Sequence, residues 1–305
     1  SLRGIRFSKV ISYGNAIDYN ESDFLDHLSK DPETKIILIY IEGVKDGPRF
    51  LGALRNAALT KPVIIIKGGR GSSGIRAVTS HTAVMAGSMR VWEGVIAQSG
   101  AIWARDLDEM TDLAVSFYFL PPIRGLRVGI VGGGGGRSVL SADEFEEAGF
   151  DVIPLPAETR EEIKSKAPQI WDWIGNPADG SIGDVISFGA GDLAQVMAKS
   201  PDFDLLSANI TEGAPMGREQ WIWFLKSEVE GYIKVSVNVG KPLIVVIGEK
   251  SLGIEDCDNW RWKLIAELRT QLIAANIPIY PTAGRAARAV KKLVNHYRSW
   301  KNFAP

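Results

Sequence analysis

Cysteine is almost absent from this chain of 305 residues. Cys257 stands alone, which excludes a disulfide framework and a cysteine-rich metal site. Long apolar runs are missing too. Stretches such as 36–41 and 243–247 fall far short of the ~20 residues that span a bilayer, and no secretory signal precedes them. The expectation is a cytoplasmic protein with no membrane contact. Charge of one sign is equally lacking. Lysine and arginine number 35 against 36 acidic residues, for a formal net charge of -1, and no basic stripe runs through the sequence. Nucleic acid is therefore not an expected partner. There is no initiator methionine, so a fragment of a longer polypeptide, or a subunit, is expected.

What the chain does have is apolar content of 45% and charged content of 23%, ordinary for a globular protein. The length predicts about two domains of ~150 residues. Short apolar runs alternate with amphipathic stretches at helical spacing. In the first half, strands are predicted at 6–13, 35–41, 62–66 and 101–104. Helices are predicted at 21–29, 47–59, 88–98 and 106–119, with a long polar loop through residue 80. Pro121-Pro122 marks a boundary. Beyond it, strands are predicted at 126–131, 151–155, 204–209, 243–247 and 278–280. The helices there are 137–148, 158–166, 191–199, 216–228, 260–275 and 285–300. Continuously apolar strands alternating with helices mean parallel sheets covered on both faces. The fold expected is α/β, with two doubly wound parallel-sheet domains at 1–119 and 123–305.

Ligands collect at the carboxyl ends of strands in such sheets. Three groups lie there. Glu42 follows the strand at 35–41. Lys67-Gly68-Gly69-Arg70 follows the strand at 62–66 and leads to His81, within Ser80-His81-Thr82. The five-glycine run 132–136, with Arg137 and Ser138, follows the strand at 126–131. That run matches neither the dinucleotide fingerprint nor the Walker A loop, because Val131, Arg137 or Ser138 occupies required positions. A nicotinamide dehydrogenase is disfavoured on this ground. The run still suits an anion: Gly133, Gly134, Gly135 and Gly136 let backbone amides approach, a helix N-terminus follows, and Arg137 adds a cation. A flexible turn with a solvated arginine accounts for it equally well.

His81 alone reads most simply as a loop histidine bonded to backbone, and Glu42 as a capping or surface carboxylate. Together they suggest more. A carboxylate that accepts from one imidazole nitrogen leaves the other free as a nucleophile. His27 and His296 are expected to be solvated, Asp179 to form a turn, and the six tryptophans from Trp171 to Trp262 to serve packing.

At these residues the chain resembles the NDP-forming acyl-CoA synthetases, the ADP-forming acetate–CoA ligase type related to succinyl-CoA synthetase. Tyr40-Ile41-Glu42-Gly43 through Lys45-Asp46-Gly47 is similar to that family's YIEGIKDG. Lys67 to Arg70 with Ser80-His81-Thr82 and Ala86-Gly87-Ser88 resembles its KAGR…SHTGSLAGS. The likeness continues through Gly135-Gly136, Val139-Leu140, Ala142-Asp143 and Asn176-Pro177-Ala178-Asp179. It implies two flavodoxin-like domains, the first lacking its opening strand and helix. It implies that His81 carries a phosphoryl group, that Glu42 orients it, and that residues 133–138 hold phosphate, with no metal ligand in this chain. It also implies CoA, ATP/ADP and Mg²⁺ used mostly outside the chain, a CoA-binding domain and an ATP-grasp domain or subunit as partners, and a homo- or hetero-oligomer. Acyl-CoA and a carboxylic acid are the small molecules, and nothing is bound covalently as cofactor. The departures are Ala83 and Val84 after the histidine, and Gly133, Arg137 and Ser138 in the glycine turn. They keep open an alternative, a non-catalytic assembly or sensing module that has lost phosphotransfer.

Overall fold

A computed structural model describes residues 3–14, 16–76, 88–170, 174–179, 188–210, 217–248 and 259–300. The chain divides into two compact units. One runs to Tyr118 and takes in the chain end from Asn295, and the other is Phe119–Val294. Each has its own parallel sheet.

In the first unit the strands are β1 (Ile37–Ile41), β2 (Val63–Lys67) and β3 (Ile102–Trp103), side by side in that order. Ile37 pairs with Val63 and Ile64 with Ile102. β2 is buried at all five positions, as a central parallel strand must be. Two helices start on side-chain caps. Asn20 Oδ1 accepts from the Ser22 amide at the head of α1 (Glu21–Lys30), and Asp46 accepts from the Arg49 amide at α2 (Gly47–Thr60). α3 (Met89–Ser99) and α4 (Leu107–Phe119) follow. The core gathers Phe50, Leu54, Ile65 and Trp92, with the Phe50 and Trp92 rings edge to face at 5.7 Å.

Two expectations fail here. Residues 6–13 alternate like a strand but form none. Instead Lys9 pairs with Asp31 and Glu33 at 2.8 and 2.9 Å, and Ser8 Oγ meets Thr34 Oγ1 at 3.3 Å. Side-chain ties to the turn before β1 hold the segment, so its alternation finds no ladder to join and Val10 is left 82% exposed. The stretch read as a long loop is helical at 72–76, and residues 77–87 lie outside the described ones.

The second unit contains β4 (Val128–Gly132), β5 (Leu205–Asn209), β6 (Leu243–Val246) and β7 (Ile279–Tyr280), again all parallel and in that order. On the other edge of β4, Arg127 bridges Asp151 and Val131 bridges Ala178. The strand predicted at 151–155 is reduced to that one bridge. Asn176 takes over the ladder's work: its Nδ2 donates to the Val128 and Ile153 carbonyls, and its Oδ1 accepts from the Ile130 amide. The chain thus leaves β4 towards one edge and later returns on the other at β5. That reversal makes the end of β4 a topological switch point.

The helices of this unit are α5 (Gly135–Glu147), α6 (Ala157–Lys166), α7 (Ala190–Lys199), α8 (Arg218–Lys234), α9 (Trp260–Ala274) and α10 (Ala283–Trp300), the last of which passes into the first unit at Asn295. α7 and α8 cross where Gly191 meets Gly231, and a methyl group on Gly231 would overlap the Gly191 backbone. Among the described residues no helix is long and apolar enough to cross a membrane.

His296, near the end of α10, overturns a fourth expectation. It is buried rather than solvated, with its ring 5.3 Å from both Phe117 and Tyr297. The apolar face of α10 carries it inward, and burial pushes its pKa down to about 4. His27, by contrast, is exposed. The unfolded chain binds a proton on His296 near pH 6.5, the folded chain only near 4. Stability from this group is therefore complete above pH 6.5 and falls as pH drops towards 4, by at most about 3 kcal/mol. Urea unfolding between pH 7 and 4.5 is expected to show a shallower loss of stability for His296→Leu than for the parent.

Candidate functional site

The carboxyl end of the first sheet is tied together by one backbone bond. The Gly68 amide, just past β2, donates to the Ile41 carbonyl at the end of β1, at 2.8 Å. Glu42 follows directly. The Tyr40 hydroxyl donates to Glu42 Oε1 at 3.2 Å, and burial followed by this bond raises the tyrosine pKa. Gly68 is needed on steric grounds. A Cβ there would stand 2.6 Å from the Tyr40 hydroxyl and 3.3 Å from Glu42 Cγ. The Glu42 side chain therefore rests against the Gly68 peptide.

An open basin of about 870 Å³ lies beside these strand ends, lined by Tyr40, residues 66–71 and residues 105–108. Lys67 lies at its base, only 1% exposed. Its Nζ donates to the Gly68 carbonyl and stands 5.5 Å from the centre of the Trp92 ring. Burial pushes the ammonium pKa down, and the Glu42 carboxylate acts in the opposite direction. His81, Ala83 and Val84 lie outside the described residues.

In the second unit the glycine run occupies the switch point. Gly132, Gly133 and Gly134 have φ of +77°, +94° and +73°, three consecutive left-handed residues that only glycine adopts without strain. A Cβ on Gly133 would also lie 2.8 Å from Asn209 Cβ. Gly134 is the N-cap and α5 begins at Gly135. The first-turn amides, at residues 135–137, have no helical partner, and they sit at the positive end of the helix dipole.

Two residues expected to face an anion point elsewhere. Ser138 is buried, and its Oγ donates to the Gly132 carbonyl at 2.8 Å, closing the loop on itself. Arg137 donates to the Ile210 carbonyl at 3.1 Å. Residues 133–136 supply backbone, and these two side chains brace it.

Other residues here escaped sequence reasoning. Asn209 ends β5 fully buried. Its Oδ1 meets Ser141 Oγ at 3.3 Å, while its Nδ2 has no partner among the described residues. A second polar residue, after Ser207, closing a short buried strand was the available signal. Asp179, read as a turn former, places Oδ2 3.4 Å from where a Cβ of Gly135 would be. Behind the loop, on α8, stand Glu228 and Tyr232, one helical turn apart and both buried. Among the described residues neither Glu228 Oε2 nor the Tyr232 hydroxyl has a hydrogen-bond partner. The Tyr232 hydroxyl is 3.1 Å from the position a Cβ of Gly132 would take. Desolvation pushes Glu228 up to about 8, and raises Tyr232 well above its ordinary value. The described tryptophans mostly pack as expected: Trp221 is fully buried and meets Trp260 edge to face at 5.4 Å.

Comparison with known proteins fits this geometry. Residues 1–117 match the family model described as a succinyl-CoA ligase like flavodoxin domain. The two parallel-sheet units have the architecture of flavodoxin-like α/β domains. Over 248 residues the chain is 35% identical to the α subunit of the ADP-forming acetate–CoA ligase II of Pyrococcus furiosus, a match covering 79% of this chain and 52% of that one. The α subunit of ligase I from the same organism is 40% identical over 151 residues, which is 50% of this chain and 33% of that subunit. The solved dinucleotide-forming acetyl-coenzyme A synthetase 1 of Ca. Korarchaeum cryptofilum, in complex with phosphate and ADP, superposes with a TM-score of 0.72 at 29% identity. That match covers 96% of this chain and 59% of that one. The chain is similar to ADP-forming acetate–CoA ligases over most of its length, and it spans about half the length of the first of these relatives.

Glu228 permits a direct check on the buried polar groups behind the glycine loop. Its carboxyl group titrates near 4.5 when unfolded and near 8 when folded, so the folded form keeps the proton. Stability from this group is present below pH 4.5 and is lost as pH rises through 8. Glu228→Gln is expected to raise stability at pH 8 by a few kcal/mol, about 4 at most, and to change it little at pH 4.5. Denaturant unfolding at the two pH values measures the difference.

Proposed function

We propose that this chain is the phosphoryl-carrying part of an ADP-forming acyl-CoA synthetase. The overall reaction is acyl-CoA + ADP + phosphate ⇌ acid + CoA + ATP. Residues 1–119 act as the phosphohistidine-bearing domain and residues 123–305 as the second CoA-ligase domain. The observation that carries the reading is the position of Glu42. It stands at a parallel strand end, beside a basin whose glycine-rich wall leads in sequence straight to His81.

The chemistry divides into group transfers that need little beyond positioning. Phosphate attacks the thioester carbonyl and CoA leaves as the thiol, giving an acyl phosphate. An imidazole nitrogen of His81 then attacks phosphorus, and the carboxylate leaves. In the last step a terminal oxygen of ADP attacks phosphorus and the imidazole leaves. Glu42 accepts from the other ring nitrogen, which keeps the attacking nitrogen unprotonated and steadies the imidazolium that forms. The unbonded amides opening α5 suit the phosphoryl oxygens. Among the described residues no group of three or more His, Cys, Asp or Glu side chains could hold a metal ion. Following the family resemblance, we assign Mg²⁺, with ATP and ADP, to an ATP-grasp partner, and CoA to a CoA-binding partner. Mg²⁺ there would neutralise charge on the nucleotide phosphates.

The test is phosphorylation of the assembled enzyme. With CoA-binding and ATP-grasp partners and Mg-ATP, intact mass is expected to show one acid-labile, alkali-stable addition of about 80 Da, one phosphoryl group. It is absent from His81→Ala. A folded, assembled complex that takes up no phosphate would instead support a non-catalytic assembly or sensing module, with Ala83 and Val84 the first positions to revert.

A further inference from the structure

We propose that Lys67 is a positioning residue for phosphoryl transfer, its buried ammonium holding in place the strand-end peptide on which Glu42 rests. The inference depends on the roles given above to His81 and Glu42.

Lysine is the wrong residue for this position by the logic of the core. Side chains two apart on a strand share a face. Val63 and Ile65, on the same face of β2 as Lys67, belong to the apolar cluster with Phe50 and Trp92. A leucine or methionine would continue that face. An ammonium taken out of water is costly unless its charge and donors are met. Here one donor goes to the Gly68 carbonyl, and the face of Trp92 and the field of Glu42 supply the rest of the compensation.

The contacts explain what the charge does there. Gly68 is held on both sides, through the peptide before it and the peptide after it. Its amide is bonded to Ile41 at the end of β1, and its carbonyl accepts from Lys67. Glu42 Cγ and the Tyr40 hydroxyl lie against the same residue with no space for a methyl group between. Without the ammonium the Gly68 carbonyl is released, and the peptide that supports Glu42 is free to turn. The charge has a second use. Phosphorylation of a histidine beside Glu42 would add negative charge to a place that already has a carboxylate, and a buried cation on the adjacent strand offsets it. The other cations of the basin do not occupy this position. Arg70 is exposed, and Arg105 is paired with Glu109 at 3.1 Å.

The experiment uses the reconstituted assembly and measures the rate at which phosphate from Mg-ATP loads onto His81. Lys67→Met keeps length and apolar fit, so it is expected to fold with an unfolding temperature at or above the parent's. It is nevertheless expected to load His81 about 100-fold more slowly, the scale of loss from a small misplacement of a reacting group. Glu42→Gln is expected to slow loading comparably. The double variant should be no slower than the worse single, because both changes disable one unit. Should Lys67→Met fail to fold, Lys67→Leu takes its place. It likewise removes both the donor for Gly68 and the charge, and the same slowing and non-additivity are expected. Loading at the parent rate in a folded Lys67 variant overturns the proposal. So do losses that multiply in the double variant. A parent assembly that takes up no phosphate overturns the carrier reading itself, and the role of Lys67 with it.

Discussion

A parallel sheet delivers all its strand ends to one side, and there the chain must turn without the ladder that held it. Both units meet this constraint with glycine. In the first, Gly68 accepts no side chain because Tyr40 and Glu42 occupy the space, and its amide crosses to Ile41. In the second, three successive left-handed glycines carry the chain from β4 into α5, with Asn209 filling the room a side chain would need. The candidate chemistry lies at these turns. They are where backbone amides are left unpaired and where a carboxylate can stand beside the sheet without losing contact with water.

Most of the architecture was legible because its strands are buried on both faces and read as unbroken apolar runs. β2, with Val63-Ile64-Ile65-Ile66, admits no other reading, and the helices of both units follow their predicted spans closely. The failures share a cause. Residues 6–13 and 151–155 have strand-like patterns, but pattern does not reveal whether a neighbour is there to pair. In one case Lys9, Asp31 and Glu33 hold the segment through side chains, and in the other Asn176 substitutes for a strand. His296 was misjudged because lysines and arginines around it in sequence suggested water. The helix turns it against Phe117 instead.

The site was legible in its backbone and much less so in its side chains. Glu42 and the glycine run were found by their place after strands. Lys67 was visible as a strand-end residue, but nothing in sequence tells a lysine pointing to solvent from one folded back over Trp92. Arg137 and Ser138 were natural candidates for an anion because they are polar and begin a helix. In the folded chain one guanidinium donor of Arg137 goes to Ile210 and the Ser138 hydroxyl goes to Gly132, and that is a matter of rotamer and loop closure rather than of pattern. Asn209, Glu228 and Tyr232 come to the glycine turn from elements 77 to 100 residues distant in sequence, counted from Gly132.

The two units handle charge in opposite ways, and this follows from burial. The first places a full cation under its strand ends. Lys67 can remain there only with a carbonyl, an aromatic face and the Glu42 carboxylate around it. Among the described residues the second places no buried cation behind its loop. What lies there is a carboxyl group, and an ionised one would repel an anion at the first turn of α5 as surely as it would destabilise the core. Desolvation resolves both difficulties together. By lifting Glu228 to about 8 it keeps the group neutral near pH 7. The positive end of α5 then acts on whatever stands before it without an opposing buried charge. The Asp179 carboxylate already lies against Gly135, on the side where that dipole favours negative charge.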